Sequence, residues 1–297
     1  MQGLSCEGKT EEFLLSIGTY FCYNISVGSI KTSDKRDGLQ MDGNRSPVGV
    51  LDSGVGGISV LRELVRVLPG EDFIYYGDSA NAPYGTKTAE EISFLTNKSA
   101  RFLLDRGAKA LVVACNTATS VAIKELRQTY ESLPIIGIEP ALKPAVLAKE
   151  HSRILVMATP MTLMQEKFGS LMHSYESEAE IIKVPCPGLV ELIEEGLREG
   201  EPIERYLRQL FLPCHTEQVD AVVLGCTHYP LIRPSIAKVL PAKVRIYDGG
   251  NGTARETRRR LEAAGLLSVK TFGGTVEFYN SRETKETLSL CRKLMGI

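Results

Sequence analysis

Ala110-Leu-Val-Val-Ala-Cys115-Asn-Thr117 is a run of small and β-branched apolar residues that stops at a cysteine followed by polar side chains. A second stretch, Ala221-Val-Val-Leu-Gly-Cys226-Thr-His228, repeats the pattern in the other half of the chain. An unbroken apolar run of this length, ended by polar residues, reads as a strand buried on both faces, as in a parallel sheet. Open α/β sheets bind ligands beyond the carboxyl ends of their strands, so each cysteine stands where a reacting group would stand. Two such ends predict one site built from two facing halves.

Working outward, apolar strands are expected at 48–51, 73–76, 135–138, 154–158, 181–184, 244–247 and 275–278. Helical spacing falls between them, at 58–68, 88–106, 119–130, from 160 to 173, 189–197, 203–212, from 229 to 240, 253–264 and at the C-terminus. Strands alternating with helices predict parallel βαβ units. The fold class expected is α/β, with two pseudo-symmetric doubly wound domains, mainly parallel sheets and the active site at the domain interface.

The 297 residues suffice for two such domains. A net charge of −1 offers no basic field for nucleic acid. No apolar run reaches the roughly 20 residues of a membrane helix. Seven cysteines, an odd number at irregular spacing, argue against a disulfide framework and for a reducing cytoplasm. Residues 1–46 read as a poorly ordered N-terminal extension. Within it, 13–30 is moderately apolar but broken by serines and glycines, and the acidic Glu7, Glu11 and Glu12 are not the flank of a signal peptide. It is either dispensable, with Met41 as a candidate start, or a regulatory arm.

Cys115 and Cys226 are the candidate acid/base groups. Both end a buried strand and both are expected to meet a helix N-terminus, which lowers a thiol pKa from about 8.5 toward neutrality. One thiol would suggest a nucleophile. Two, one from each half, suggest proton removal from one face of a carbon and proton return to the other. Cys6, Cys22, Cys186, Cys214 and Cys291 read as packing cysteines. Cys226 with His228 offers two metal-ligand types, but no third ligand stands at a zinc spacing and no metal is expected. Asp52-Ser-Gly-Val-Gly-Gly57 is a candidate anion cradle ahead of a helix. Asp52 there suits an ammonium group or a neighbouring thiol, and either Asp52 or Ser53 could instead cap the helix. Pro83-Tyr84-Gly85 and Asn116-Thr117 supply donors for a small carboxylate-bearing ligand. Glu194, beside Glu191 and Glu195, reads on its own as part of a solvated helix face.

Four motifs together, Asp-Ser-Gly-Val-Gly-Gly at 52–57, Pro-Tyr-Gly at 83–85, Ala-Cys-Asn-Thr-Ala at 114–118 and Gly-Cys-Thr-His-Tyr-Pro at 225–230, resemble the motif set of the glutamate racemases, in order and over 47–297. The resemblance implies cofactor-independent interconversion of L- and D-glutamate for peptidoglycan synthesis, cell-wall biogenesis and cell shape. It implies that Cys115 works on the D-enantiomer and Cys226 on the L-enantiomer, with Asp52, His228 and Glu194 assisting. It implies substrate binding by Asp52, Ser53, Pro83, Tyr84, Gly85, Asn116, Thr117, Thr227 and His228. It also implies that the C-terminal segment completes the first domain, giving 47–142 plus 255–297 as one unit and 143–254 as the other. Members of the family are monomers or dimers, and a homodimer is the expectation here. Some are activated by UDP-N-acetylmuramoyl-L-alanine, but no motif in 1–46 matches such a role. The alternatives are aspartate racemase or another cysteine-pair enzyme of the superfamily, and a non-catalytic binding module for acidic amino acids.

Overall fold

Every residue of the strand β1 (Val48–Asp52) is buried, as a strand covered on both faces must be. In the computed structural model, which describes residues 45–296, the chain continues through α1 (Ile58–Val67), β2 (Phe73–Gly77), α2 (Ala89–Leu104), β3 (Ala110–Val113), α3 (Asn116–Thr129) and β4 (Ile135–Gly137). A short α4 (Leu142–Leu147) leads to β5 (Ser152–Ala158), α5 (Pro160–Met164), α6 (Glu166–His173), β6 (Ala179–Pro185), α7 (Leu189–Glu194), α8 (Glu201–Phe211), β7 (Ala221–Leu224), α9 (Arg233–Val239) and β8 (Arg245–Asp248). The chain closes with α10 (Gly250–Ala263), β9 (Val276–Asn280) and α11 (Lys285–Met295). Residues 1–44, with Cys6, Cys22, Met41 and the apolar run 13–30, lie outside the described residues.

Two parallel sheets result, ordered β4-β3-β1-β2-β9 and β6-β5-β7-β8. In each, the first strand pairs with both the second and the third, as β1 does with β2 and β3, and β5 with β6 and β7. The first four strands of each half therefore share one winding, and the C-terminal β9 extends the first sheet beside β2. Strand alternation sorts the core. Val50, Tyr75 and Val112 face α1, α10 and α11, whereas Leu51, Ile74 and Leu111 face α2 and α3. In the second sheet Leu155, Met157 and Val222 pack with α7, α8 and α9, and Ile154, Val156 and Val223 with α4 and α6. Each such side chain contributes about 1.5–3 kcal/mol by leaving water.

Several elements differ from the pattern read in the sequence. The helix expected from 160 to 173 is two, because Gln165 is extended (φ −73°, ψ 136°). That break leaves Thr162 buried in the short α5 and turns Phe168 and Met172 of the next helix into the core. The helix α4 was hidden by Pro144, which stands in the first turn, where the missing N–H breaks no helical bond. The helix expected from 189 to 197 stops at Glu194.

Candidate active site

The order of the strands places the site. In the first sheet the winding reverses between β1 and β3, and in the second between β5 and β7, the positions where open α/β sheets form a crevice. Those four strand ends carry Asp52 and Ser53, Cys115, Thr159, and Cys226. The two crevices meet. Thr227 Oγ1 donates to Asp52 Oδ2 at 3.0 Å, and Ser59 Oγ donates to the Thr227 carbonyl at 3.0 Å. The Val55 N–H donates to Glu194 Oε1 at 3.0 Å. The Thr117 hydroxyl joins those of Thr159 and Thr162 at 3.2 and 2.9 Å.

Cys115 caps α3, its Sγ accepting from the Ala118 N–H at 3.4 Å and lying 3.6 Å from Ser53 Oγ. The helix begins directly after it, three residues earlier than the sequence pattern indicated. Its neighbour Asn116 is buried, and neither polar atom of its amide has a hydrogen-bond partner among the described residues. Asn116 also borders a cavity of about 270 Å³ shared with Glu139, Lys167 and Phe168. Cys226 is not followed by an α-helix, contrary to expectation: Tyr229–Ile232 is a 3-10 turn and α9 begins only at Arg233. What stands beside its Sγ is His228 Nδ1, at 3.8 Å.

Glu194 is not on a solvated face. Its carboxylate is mostly buried, and Oε1 lies 2.7 Å from His228 Nε2 while also accepting from Val55. Asp52, fully buried, accepts from the Gly54 N–H at 3.0 Å and from Thr227; it does not cap α1, whose N-cap is Gly57. Glycine is required at 54 and 56 because the halves touch there. A Cβ on Gly56 would stand 2.5 Å from His228 Nδ1. The Tyr84 side chain turns inward, its hydroxyl donating to Asp78 Oδ2 at 2.8 Å. Gly85 packs against Thr159, so the 83–85 segment meets the second half through backbone. Pro83 precedes it, extended and half-buried.

Thr159 and Thr162 were not singled out in the sequence. The duplication was the available signal, since Thr159 follows β5 as Ser53 follows β1.

Residues 48–257 match the model of the Asp/Glu/Hydantoin racemase family. The glutamate racemases of Clostridium novyi and Clostridium acetobutylicum are 49% and 50% identical to this chain, each over 86% of it and 100% of their own length. The chain belongs to the Asp/Glu/Hydantoin racemase family. Among solved structures, a glutamate racemase isoform from Bacillus anthracis matches at 32% identity with a TM-score of 0.78, covering 86% of this chain and 95% of that one. The Francisella tularensis glutamate racemase in complex with D-glutamate matches at 30% identity and 0.75, with the same coverage. The Escherichia coli enzyme, in complex with L-glutamate and the activator UDP-MurNAc-Ala, matches at 30% identity and 0.74, over 84% and 95%.

A racemase is an isomerase, and the electrostatics of this site bear on how one would run. Burial, then the Asp52 charge, pushes the Cys115 thiol up to about 12 against the help of Ala118 and Ser53. The helix N-terminus does not win, which corrects the expectation of a near-neutral thiol. Burial also raises Asp52 above the ordinary carboxylate range, against the lowering effects of His228 and the backbone N–H groups. Burial opposes charge on His228, yet its bonds to Cys226 and Glu194 hold its pKa well above the usual value. Glu194 pays the same burial cost, but bonding to His228 and the Val55 N–H holds it below the ordinary range.

Proposed function

We propose that the chain interconverts L- and D-glutamate by a two-base transfer at the α-carbon, with Cys115 and Cys226 as the two thiols. The observation that carries the reading is the equivalent placement of the cysteines, each beyond the third strand of its own half, in crevices that meet. Relatives matched over their whole length are glutamate racemases, which supports glutamate as substrate. On this reading the substrate lies between the thiols. One thiolate removes the α-proton from one face and the other thiol delivers a proton to the opposite face, inverting the centre.

The remaining groups have chemical reasons to take part. The unpaired amide of Asn116, which would otherwise cost about 1–3 kcal/mol unsatisfied, suits a substrate carboxylate, with Thr117 and the backbone N–H groups of Thr227, Tyr84 and Gly85 as further donors. Asp52 and Ser53 suit the ammonium group beside Cys115. A thiol with a high pKa is scarce as thiolate but a strong base once formed, which suits a carbon acid as weak as an amino-acid α-proton. The cation at His228, balanced by Glu194, holds charge near Cys226 in a buried setting. No step calls for a cofactor. The product D-glutamate would serve peptidoglycan synthesis in the cytoplasm. The units 47–142 with 255–297, and 143–254, are proposed as the bodies that close on the substrate, except that residues 250–254, the start of α10, go with the first unit because α10 packs on α1.

Cys115→Ser and Cys226→Ser test this. Each should lower turnover by about a thousandfold or more, since an alkoxide is not available near neutral pH, while the thermal midpoint stays close to the parent. Near-native turnover in either variant would sink the two-thiol assignment.

A further inference from the structure

The loop between β2 and α2 is organised by one buried carboxylate that the two-thiol chemistry leaves unexplained. Asp78 is 3% exposed. Its backbone N–H donates to the Asp52 carbonyl at 2.9 Å, tying the loop to the strand end that holds Asp52 and Ser53. Its Oδ2 accepts from the Tyr84 hydroxyl at 2.8 Å, and its Oδ1 accepts from Asn81 Nδ2 at 2.9 Å. Tyr84 is fully buried among Ile92, Leu103 and Cys115. The next residue, Gly85, presses on Thr159 of the other half so closely that an added Cβ would stand 2.8 Å from the threonine Cβ. One carboxylate thus sets where the 83–85 backbone stands relative to both halves.

We propose that Asp78 is a positioning residue that, through Tyr84, holds the 83–85 segment in its substrate-binding place and so sets how tightly substrate is held. This rests on the glutamate racemase reading above. A carboxylate suits the task because both its oxygens accept. Asn81 Nδ2 reaches both oxygens, at 2.9 and 3.1 Å, so an asparagine here would turn its own amide against that of Asn81. Burial, then the Asp78 charge, keeps the Tyr84 hydroxyl far above its ordinary pKa, so it remains a donor.

The test compares Asp78→Asn, Tyr84→Phe and the double variant in the full chain, by racemisation kinetics and by calorimetric binding of D-glutamate. Tyr84→Phe keeps the ring and is the milder change should Asp78→Asn fold poorly. The expected result is a KM and a Kd raised about tenfold in each single variant, a smaller fall in kcat, and a double variant no worse than the worse single. A purely structural role would lower the thermal midpoint and leave KM in place. KM and Kd within about twofold of the parent in the single variants, or increases that multiply in the double variant, would overturn the proposal. A parent chain that binds D-glutamate without racemising it would overturn the glutamate racemase reading instead, and the Kd series would still decide the role of Asp78.

Discussion

His228 is gripped from both sides, Nδ1 by the Cys226 sulfur and Nε2 by Glu194, which fixes the ring and favours its cation. The sign of the pH effect follows. His228 has a folded pKa above its unfolded value of about 6.5, so its stabilisation is full below that pH and is lost as pH rises through the folded value. Glu194 has a folded pKa below its unfolded value of about 4.3, so its share is present above that pH and is lost as pH falls through the folded value. His228→Gln should therefore destabilise most near pH 5 to 6, by about 3 kcal/mol in denaturant titrations, with the gap from the parent narrowing toward alkaline pH. A gap that widens toward alkaline pH would contradict the pairing. Cys115 gives a second pH signature. With its thiol pushed to about 12, kcat/KM for D-glutamate should climb with pH from neutrality through the alkaline range, and a flat profile would count against it as the base in that direction. The placement of both cysteines beyond buried strands was legible in the sequence, because an apolar run ending in polar residues leaves a clear pattern. The thiol's pKa was not, since sequence shows that a helix follows the cysteine but not the depth of burial that outweighs it. Nor was the placement of Glu194, which shares a helix with acidic neighbours and is set apart only by what the other half brings against it.

At the scale of elements, the glycine loop at 54–57 is a tight contact between the two halves. Gly56→Ala would force a methyl into His228 Nδ1 and the Thr227 hydroxyl, both within 2.7 Å of the ideal Cβ. The expected cost is about 2 kcal/mol of stability, read by denaturant unfolding, together with a large loss of kcat/KM. Gly252→Ala is the contrast. Its Cβ would meet nothing within 4 Å, and α10 should gain up to about 1 kcal/mol. A reversed order of the two variants would mean that the loop is not the tight contact described. The alternation of strands and helices was readable because each strand is a short apolar run between turn formers. The break at Gln165 was not, because it serves contacts made at a distance: Thr162 with Thr117, and Phe168 with the second sheet.

Across the whole molecule, two similarly wound halves offer equivalent strand ends to one another, and the duplication visible in the cysteine stretches is the trace of that arrangement. The place of β9 beside β2 was beyond reach of local pattern, since only long-range pairing decides which edge a last strand joins. Relatives are matched over their full length by 86% of this chain. A chain starting at Ser46 should accordingly keep kcat within about twofold of the parent. A large loss would assign residues 1–45 to the working enzyme.

Two-thiol racemisation removes a proton from one face of Cα and returns a solvent-derived proton to the other, and proton NMR with chiral analysis in D2O tests it most directly. Starting from L-glutamate with no added cofactor, D-glutamate should carry deuterium at Cα from the first turnovers, while the remaining L-glutamate keeps its proton through the initial phase. D-glutamate that retains the original proton, or deuterium entering the L-glutamate pool as fast as product forms, would point to a single base and contradict the account.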